Sequence, residues 1–391
     1  MRKAIQFGAG NIGRGFAGQL FSESGFEVVF VDVQQSLVDL LNERRSYPIR
    51  MACKDPWTVT ITNVRAVSGL DIPAVAEEIK TADLMCTAVG VNVLPRIAPT
   101  IAAGVKARAE AKVEAPINIV ICENLQNMGP FLKAEVKKAL PEEYHAYLEE
   151  KIGFVESVVG RMVPVMTEEQ KREDPLLVLV EPYKHLPVSK AAIKGDWPEI
   201  VGVEPAGNFQ SFVDRKLYAH NAGHATAAYL GYLKGYKFVY EAMNDQQISR
   251  EVRDAMEETG RALVKKHSLN AEEHQAHIED LLQRFANVAL GDQVARVGRD
   301  PMRKLGPDDR LVGGAKLVQE CGMFPEHMCK AIAAGLHFDP DGDPTAPKVQ
   351  GILRERGVAG ALSEISKLSE DSEITKEVVK QYDLVVQEFK A

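Results

Sequence analysis

With 391 residues, 45% hydrophobic and 26% charged, the chain has the composition of an ordinary globular protein and is long enough for two domains. A net charge of −8 argues against a general polyanion or nucleic-acid binder, while a local basic pocket for one small anion remains open. Five scattered cysteines, none spaced Cys-x-x-Cys, argue against a disulfide framework or structural zinc and fit a reducing compartment as core filler. The N-terminus enters a strand pattern at once and no run of about 18 apolar residues occurs, so a cytoplasmic protein without membrane spans is expected.

Ala4–Phe7 is a short apolar run followed by Gly8-Ala9-Gly10-Asn11-Ile12-Gly13 and then by Phe16, Leu20 and Phe21 at helical spacing. Strand, glycine turn and helix in that order suit a pyrophosphate, because free N–H groups and the positive end of a helix dipole bind the anion. Glu27–Asp32 reads as the next strand, and its terminal acid can accept hydrogen bonds from ribose hydroxyls and repel a 2′-phosphate. Asp32 therefore points to NAD over NADP; the alternative is a solvated strand end.

Further strands are expected at Asp83–Val89 and Ile117–Cys122, around an amphipathic helix over Val93–Arg108. The alternation predicts a doubly wound parallel sheet, with Val89-Gly90-Val91-Asn92 and Glu123–Asn127 at strand ends lining a cofactor crevice. Asn124 could face a reacting carbon there, or could simply cap the next helix. Tyr47–Ser68 reads as a small antiparallel excursion, Phe154–Val163 and Leu176–Val180 as later strands, and Thr167–Asp174 as a solvated loop. Strand signals stop after Pro198, which divides the chain into a dinucleotide-binding domain over 1–206 and a mainly helical domain over 207–391.

Helical periodicity then dominates: Glu241–Lys266, Glu272–Phe285, Leu311–Cys321, Glu326–Leu336, Lys348–Ile365 and Ile374–Phe389. The stretch that precedes these patterns, Phe209–Leu233, is the unusual one. At about 100° per residue, Phe209, Phe212, Val213 and Leu217 define an apolar face, and Lys216, His220, Asn221 and His224 fall on it or at its edge. An ammonium, an amide and imidazoles on a core-facing surface form either a polar knot between helices or a reactive site. Asp339–Asp343 is a poor calcium loop, since position twelve is Gln350, and Cys321, His327 and Cys329 lack a fourth ligand for zinc. Arg296-Val297-Gly298-Arg299-Asp300-Pro301-Met302-Arg303-Lys304 and Arg310 crowd cations into one broken stretch, which fits a phosphate dianion or a set of surface ion pairs with Asp300, Asp308 and Asp309.

FGAGNIGRGF at the N-terminus, the later FVDV, TAVG and CEN, RKLYAHNAGHA around Lys216 and RVGRDPMRKLGPDDRL together resemble the polyol-specific long-chain dehydrogenases, or mannitol dehydrogenase family. The likeness spans the whole chain, is closest to the bacterial mannitol-1-phosphate 5-dehydrogenases, and has Lys-x4-Asn-x2-His as its most specific part. It implies a Rossmann domain, a helical domain and a site between them, with zinc-independent interconversion of D-mannitol 1-phosphate and NAD+ with D-fructose 6-phosphate and NADH. Lys216 matches the family's general acid/base, Asn124 and Asn221 the amides that hold the oxyanion, and His224 the imidazole that orients a substrate hydroxyl. Arg303 and Lys304, with Arg310 and Arg215 as substitutes, are the expected phosphate ligands. A monomer is expected. Two departures stand out: Gly160-Arg161 replaces an Asp-Arg pair common in relatives, and His220 is foreign to the pattern. Competing readings are a relative acting on a free polyol or hexuronate, and a catalytically dead NAD-binding sensor.

Overall fold

The computed structural model describes residues 1–164 and 166–390. It divides into two compact units, Met1–Phe209 and Gln210–Ala391. No helix among the described residues is long and apolar enough to cross a membrane.

The first unit is built on six parallel strands: β1 (Arg2–Phe7), β2 (Phe26–Asp32), β5 (Val64–Ser68), β6 (Leu84–Thr87), β7 (Ile117–Ile121) and β8 (Ile152–Glu156). Their spatial order is β5-β2-β1-β6-β7-β8, with β1 pairing β2 on one side and β6 on the other. Counted within this sheet, the order is 3-2-1-4-5-6, the doubly wound arrangement in which ligands lie beyond the strand ends where the winding reverses. That point is the gap between the ends of β1 and β6.

Strand alternation sends side chains to two cores. Ile5, Phe7, Val29, Val31, Met85, Ile119 and Ile121 pack under the helices Ile72–Lys80, Leu94–Glu110 and Met128–Ala139. Ala4, Val28, Phe30, Leu84, Cys86 and Val120 pack on the other face with Phe16, Leu20 and Leu41. Burying one such Phe or Leu side chain stabilises by roughly 1.5–3 kcal/mol.

Several expectations need correction. The excursion after Tyr47 is antiparallel only between β3 (Tyr47–Met51) and β4 (Thr58–Ile61); β5 leaves it and joins the main sheet in parallel with β2. β3 also pairs with β9 (Val178–Val180), making a separate three-stranded sheet. The charged segment read as a loop is a helix over Glu168–Glu173, started by a capping box in which Thr167 and Gln170 satisfy each other's backbone amides. Strand structure also continues past Pro198: β11 (Val203–Ala206) pairs in parallel with β10 (Leu186–Ser189).

In the second unit helices occupy the expected segments, the longest being Gln246–His267, but two segments are broken: Glu241–Lys266 by Asp245, which caps Gln247 and Ile248, and Lys348–Ile365 by a kink at Gly357, where φ is +66°. The five cysteines are free thiols, three of them buried. Phe209–Leu233 is one continuous helical stretch with an irregular centre: α-helical over Phe209–Arg215, π-helical over Lys216–Asn221, and α-helical again over Ala222–Leu233. Phe209, Phe212, Val213 and Leu217, expected on a core face, are only half-buried, while Ser211, Asp214, Ala219 and His220 are the buried members before Ala222. Asp214 is held inside by His267 at 2.8 Å and Gln210 at 2.7 Å.

Candidate active site

In the first unit the glycine turn is fixed by close backbone approaches. Gly8 has φ +87°, and a Cβ there would lie 2.5 Å from the Ala88 carbonyl oxygen; one at Gly13 would lie 2.0 Å from the Gly8 oxygen. Gly10, by contrast, has open space where its Cβ would be. Gly10 and Asn11 are exposed and Ile12 half-buried, so the turn offers bare backbone at its crest. The helix that follows begins with a π turn, Gly13–Gly18.

Asp32 ends β2 against this turn. One carboxylate oxygen accepts the Ala9 amide at 2.8 Å and the other the Gln34 amide at 2.9 Å. These bonds aim the carboxylate and leave lone pairs for further donors. Across the switch point, the Val89 and Gly90 amides donate to Glu123 at 3.0 and 2.8 Å. Burial raises the Glu123 carboxyl and the two amides oppose that rise. Asn124, next along, is exposed after β7 and does not cap the following helix, whose N-cap is Asn127. Aspartate at 32 and an open glycine crest fit a dinucleotide of the NAD type: amide donors for the pyrophosphate and acceptors for unphosphorylated ribose hydroxyls.

Two buried arginines brace the turn from behind, and neither was singled out as part of it from sequence. Arg14 donates to the Ala9 carbonyl at 2.6 Å and to the Leu176 carbonyl. Arg161 donates to the Gly15 carbonyl and Gln19 Oε1, both at 2.7 Å, and to the Glu181 carbonyl at 2.8 Å; burial lowers its guanidinium to about 10. The arginine of the Gly160-Arg161 departure is thus a backbone clamp.

In the second unit the π turn decides which side chains meet. On an α-helix Lys216 and Asn221 would stand roughly 140° apart. A turn closed by i→i+5 bonds advances only about 80° per residue and brings them within roughly 50° of each other. Lys216 Nζ lies 3.2 Å from both ring nitrogens of His220. His220 is 3% exposed, and burial, then the charge of Lys216, pushes its imidazole well below the usual range, so it is uncharged.

His224 stacks flat on Phe285, ring centroids 4.8 Å apart and planes 4° from parallel. Its Nε2 is 3.3 Å from Asp292 but is not aligned for a hydrogen bond. Burial lowers its pKa and Asp292 opposes that. Asp292 is itself buried; His224 and its ion pair with Arg296 outweigh burial and hold its carboxyl below the usual range. Sequence reasoning missed Asp292 and Phe285 because both lie more than sixty positions from His224 and carry no local signal.

The basic stretch is largely satisfied by its own neighbourhood. Lys304, expected as an open phosphate ligand, is 5% exposed and donates to the Val297 and Arg299 carbonyls; burial lowers its ammonium to about 7. Arg303 pairs with Asp300 and Asp309, Arg310 with Asp309, and Arg296 with Asp292. Arg299 is exposed and has no acidic partner among the described residues. Arg215 lies over the Phe212 ring at 4.7 Å. Among the described residues no group of three or more His, Cys, Asp or Glu is placed to hold a metal ion. Asp343 instead accepts the Thr345, Ala346 and Asp300 amides.

A family model for the mannitol dehydrogenase Rossmann domain matches residues 2–202, and one for the mannitol dehydrogenase C-terminal domain matches 208–386. The chain belongs to the mannitol dehydrogenase family. Mannitol 2-dehydrogenase of Pseudomonas fluorescens, solved as a ternary complex with NAD and D-mannitol, superposes with a TM-score of 0.76 at 17% identity, over 99% of this chain and 93% of its own. A D-sorbitol dehydrogenase in substrate-free form gives a TM-score of 0.83 at 14% identity, over 98% and 93%. Likeness at such identities establishes the mannitol dehydrogenase fold, a Rossmann domain followed by a helical domain; the particular chemistry must be argued from the residues.

Proposed function

We propose that this member of the mannitol dehydrogenase family interconverts D-mannitol 1-phosphate and D-fructose 6-phosphate with NAD as the cofactor. NAD, when bound, takes up or returns the hydride. Gly8, Gly10, Asn11, Ile12 and Gly13 supply the turn that receives its pyrophosphate, Asp32 the ribose acceptors, and Val89 and Gly90 the opposite edge of that crevice. Lys216 accepts the hydroxyl proton in oxidation and returns it in reduction. Asn124 and Asn221 donate to the carbonyl or alkoxide oxygen, each worth about 2–4 kcal/mol in the transition state by the measure of oxyanion-hole deletions. His224 positions a substrate hydroxyl, and its own ring is held by Phe285 and Asp292.

The observation that carries the reading is the Lys216 amine on its π turn, set against a buried and uncharged imidazole. An amine held beside a neutral ring can exchange its proton with the substrate oxygen. For the phosphate, Arg299 joins Arg303, Arg310 and Arg215 as the proposed ligands, and Lys304 acts on them only by holding the Val297–Arg299 backbone.

A second reading is favoured by one specific fact: the similar Pseudomonas enzyme was solved with unphosphorylated D-mannitol. Steady-state kinetics separates the two. Fructose 6-phosphate with NADH should exceed fructose in kcat/KM by about a hundredfold or more, since losing two or three charge-assisted hydrogen bonds costs about 3 kcal/mol or more. Comparable values for the two ketoses would replace the sugar phosphate with a free polyol.

A further inference from the structure

Glu123 stands between Val89 and Gly90, assigned to the cofactor edge, and Asn124, assigned to the reacting oxygen. It follows β7 directly, precedes Asn124 in the chain and is 8% exposed. Its carboxylate oxygens are used separately: Oε1 accepts the Val89 amide at 3.0 Å and Oε2 the Gly90 amide at 2.8 Å. The sheet ladder ends just before these amides, with the Ala88 amide donating to the Phe7 carbonyl and the Cys122 amide to the Thr87 carbonyl, both at 2.9 Å. Two adjacent backbone donors beyond a ladder need acceptors, and an ionised carboxylate offers one oxygen to each.

The segment held in this way supports the glycine turn. A Cβ at Gly8 would lie 2.5 Å from the Ala88 carbonyl oxygen and 3.1 Å from Val89 Cγ1, so the turn rests on the residues that lead into the clamped amides. Gly90 has φ +90° and open space where a Cβ would be, so side-chain packing does not restrain it. Glu123 therefore joins three pieces: the glycine turn, the Val89–Gly90 edge and the backbone that carries Asn124. The groups that act on its carboxyl are the two amides and the buried Thr87 hydroxyl, with no cationic side chain among them, and the Cys86 thiol of β6 is the titratable neighbour. Burial raises the carboxyl and the amides oppose that rise, so the two bonds are what favour its ionised form.

We propose that Glu123 is a positioning residue: its ionised carboxylate, by occupying both amides, fixes the Val89–Gly90 edge of the cofactor crevice and the Asn124 backbone relative to each other. This rests on the reading that the crevice holds NAD and that Asn124 meets the reacting oxygen. Glu123 needs no contact with cofactor or substrate for this role, and it exchanges no proton in the reaction.

The test compares the full-length parent with Glu123→Gln and Glu123→Asp, each checked for folding by its thermal midpoint. NADH is titrated by fluorescence from pH 8 to pH 5, and fructose 6-phosphate reduction is followed at saturating NADH. Gln keeps the size but has one acceptor oxygen, so its NH2 group meets one of the two amides donor to donor. At pH 8 the NADH Kd should rise about tenfold and kcat fall about tenfold, with KM for fructose 6-phosphate within about threefold of the parent. As pH falls, protonation takes one acceptor from the parent too, so the ratio of the two Kd values should shrink toward one; burial places that change above the usual carboxylate range. Glu123→Asp keeps both oxygens and the charge, and its NADH Kd should stay within about threefold of the parent. If Glu123→Gln does not fold, Glu123→Ala takes its place with the same expectation. Parental Kd and kcat in the Gln or Ala variant overturn the proposal, as does a loss equal to that of the Asp variant at a ratio that does not change with pH, which would make the side chain mere packing. NADH binding untouched by both Gly10→Ala and Glu123→Gln sinks the crevice reading and the proposal with it, whereas weakened binding in Gly10→Ala beside a parental Glu123→Gln sinks only the proposal.

Discussion

Two π turns, Gly13–Gly18 in the first unit and Lys216–Asn221 in the second, sit at the two places where the sequence points to function. They are built from opposite materials. The first presents backbone: glycines packed against carbonyls, an open crest at Gly10, and arginines that bond carbonyls and an amide from behind. The second presents side chains: an amine, an amide and imidazoles, with aromatic packing and an aspartate to hold them. A cofactor that every turnover presents in the same form can be held by peptide groups, which do not titrate. Proton transfer needs groups that can change charge, and these have to be buried to be tuned. In the proposed assignment the same local irregularity serves both, because an i→i+5 turn re-aims the residues that follow it.

This contrast predicts different acid limits. His220, His224, His274 and His277 are all pushed down by burial before any other cause, His274 to about 4 and His277 to about 2. The unfolded chain therefore binds more protons than the folded one below the ordinary histidine range, so stability falls as pH drops below about 6.5, by up to about 1.4 kcal/mol per histidine per pH unit. Amide exchange followed from pH 7 to 5 should show the Gln210–Ala391 unit losing protection first. Earlier loss in the Met1–Phe209 unit would break the comparison.

Within the first unit, Gly13→Ala should cost about 3 kcal/mol, since its Cβ has a carbonyl oxygen in the way. Gly10→Ala should leave the thermal midpoint unchanged and weaken NADH binding about tenfold, or about 1.4 kcal/mol; equal midpoints for the two variants would show that the crest is not open. Asp32→Ala should reduce the preference for NADH over NADPH by about tenfold, measured as a ratio of kcat/KM. An unchanged ratio would take cofactor choice away from this residue.

The smallest effect concerns Glu78, which Arg65 and Lys3 hold down to about 2. A depressed carboxyl stabilises above its unfolded value and loses that contribution as pH falls from about 4.5 to about 2. Because the group is partly solvated, Glu78→Gln should cost only about 1 kcal/mol at pH 7 and nothing near pH 2 in urea titrations. A constant difference across that range would deny the ion pair.

Much of this was legible from local pattern. The strand, glycine turn and acid-ended second strand follow from period and spacing, and Glu326–Leu336 follows from helical periodicity to the residue. What escaped notice is long-range or unmarked. β5 looked like part of the neighbouring hairpin because nothing between Ile61 and Val64 signals a change of sheet. β11 is four residues long and contains Pro205. The Thr167–Gln170 capping box was a readable signal passed over in favour of its charged surroundings. No residue type announces a π turn, so helical projection at a regular period put Phe209, Phe212, Val213 and Leu217 on a core face where the structure leaves them only half-buried. Lys304 counted as a surface cation because sequence records its charge and not the carbonyls of Val297 and Arg299 that occupy it.

If peptide groups hold the cofactor and a side chain moves the proton, one substitution should separate the two functions. Lys216→Met should lower kcat for fructose 6-phosphate reduction by about a thousandfold, within the range for loss of a general acid, while NADH titrated by its fluorescence binds within about twofold of the parent. Parental turnover, or NADH affinity lost together with turnover, would contradict that division.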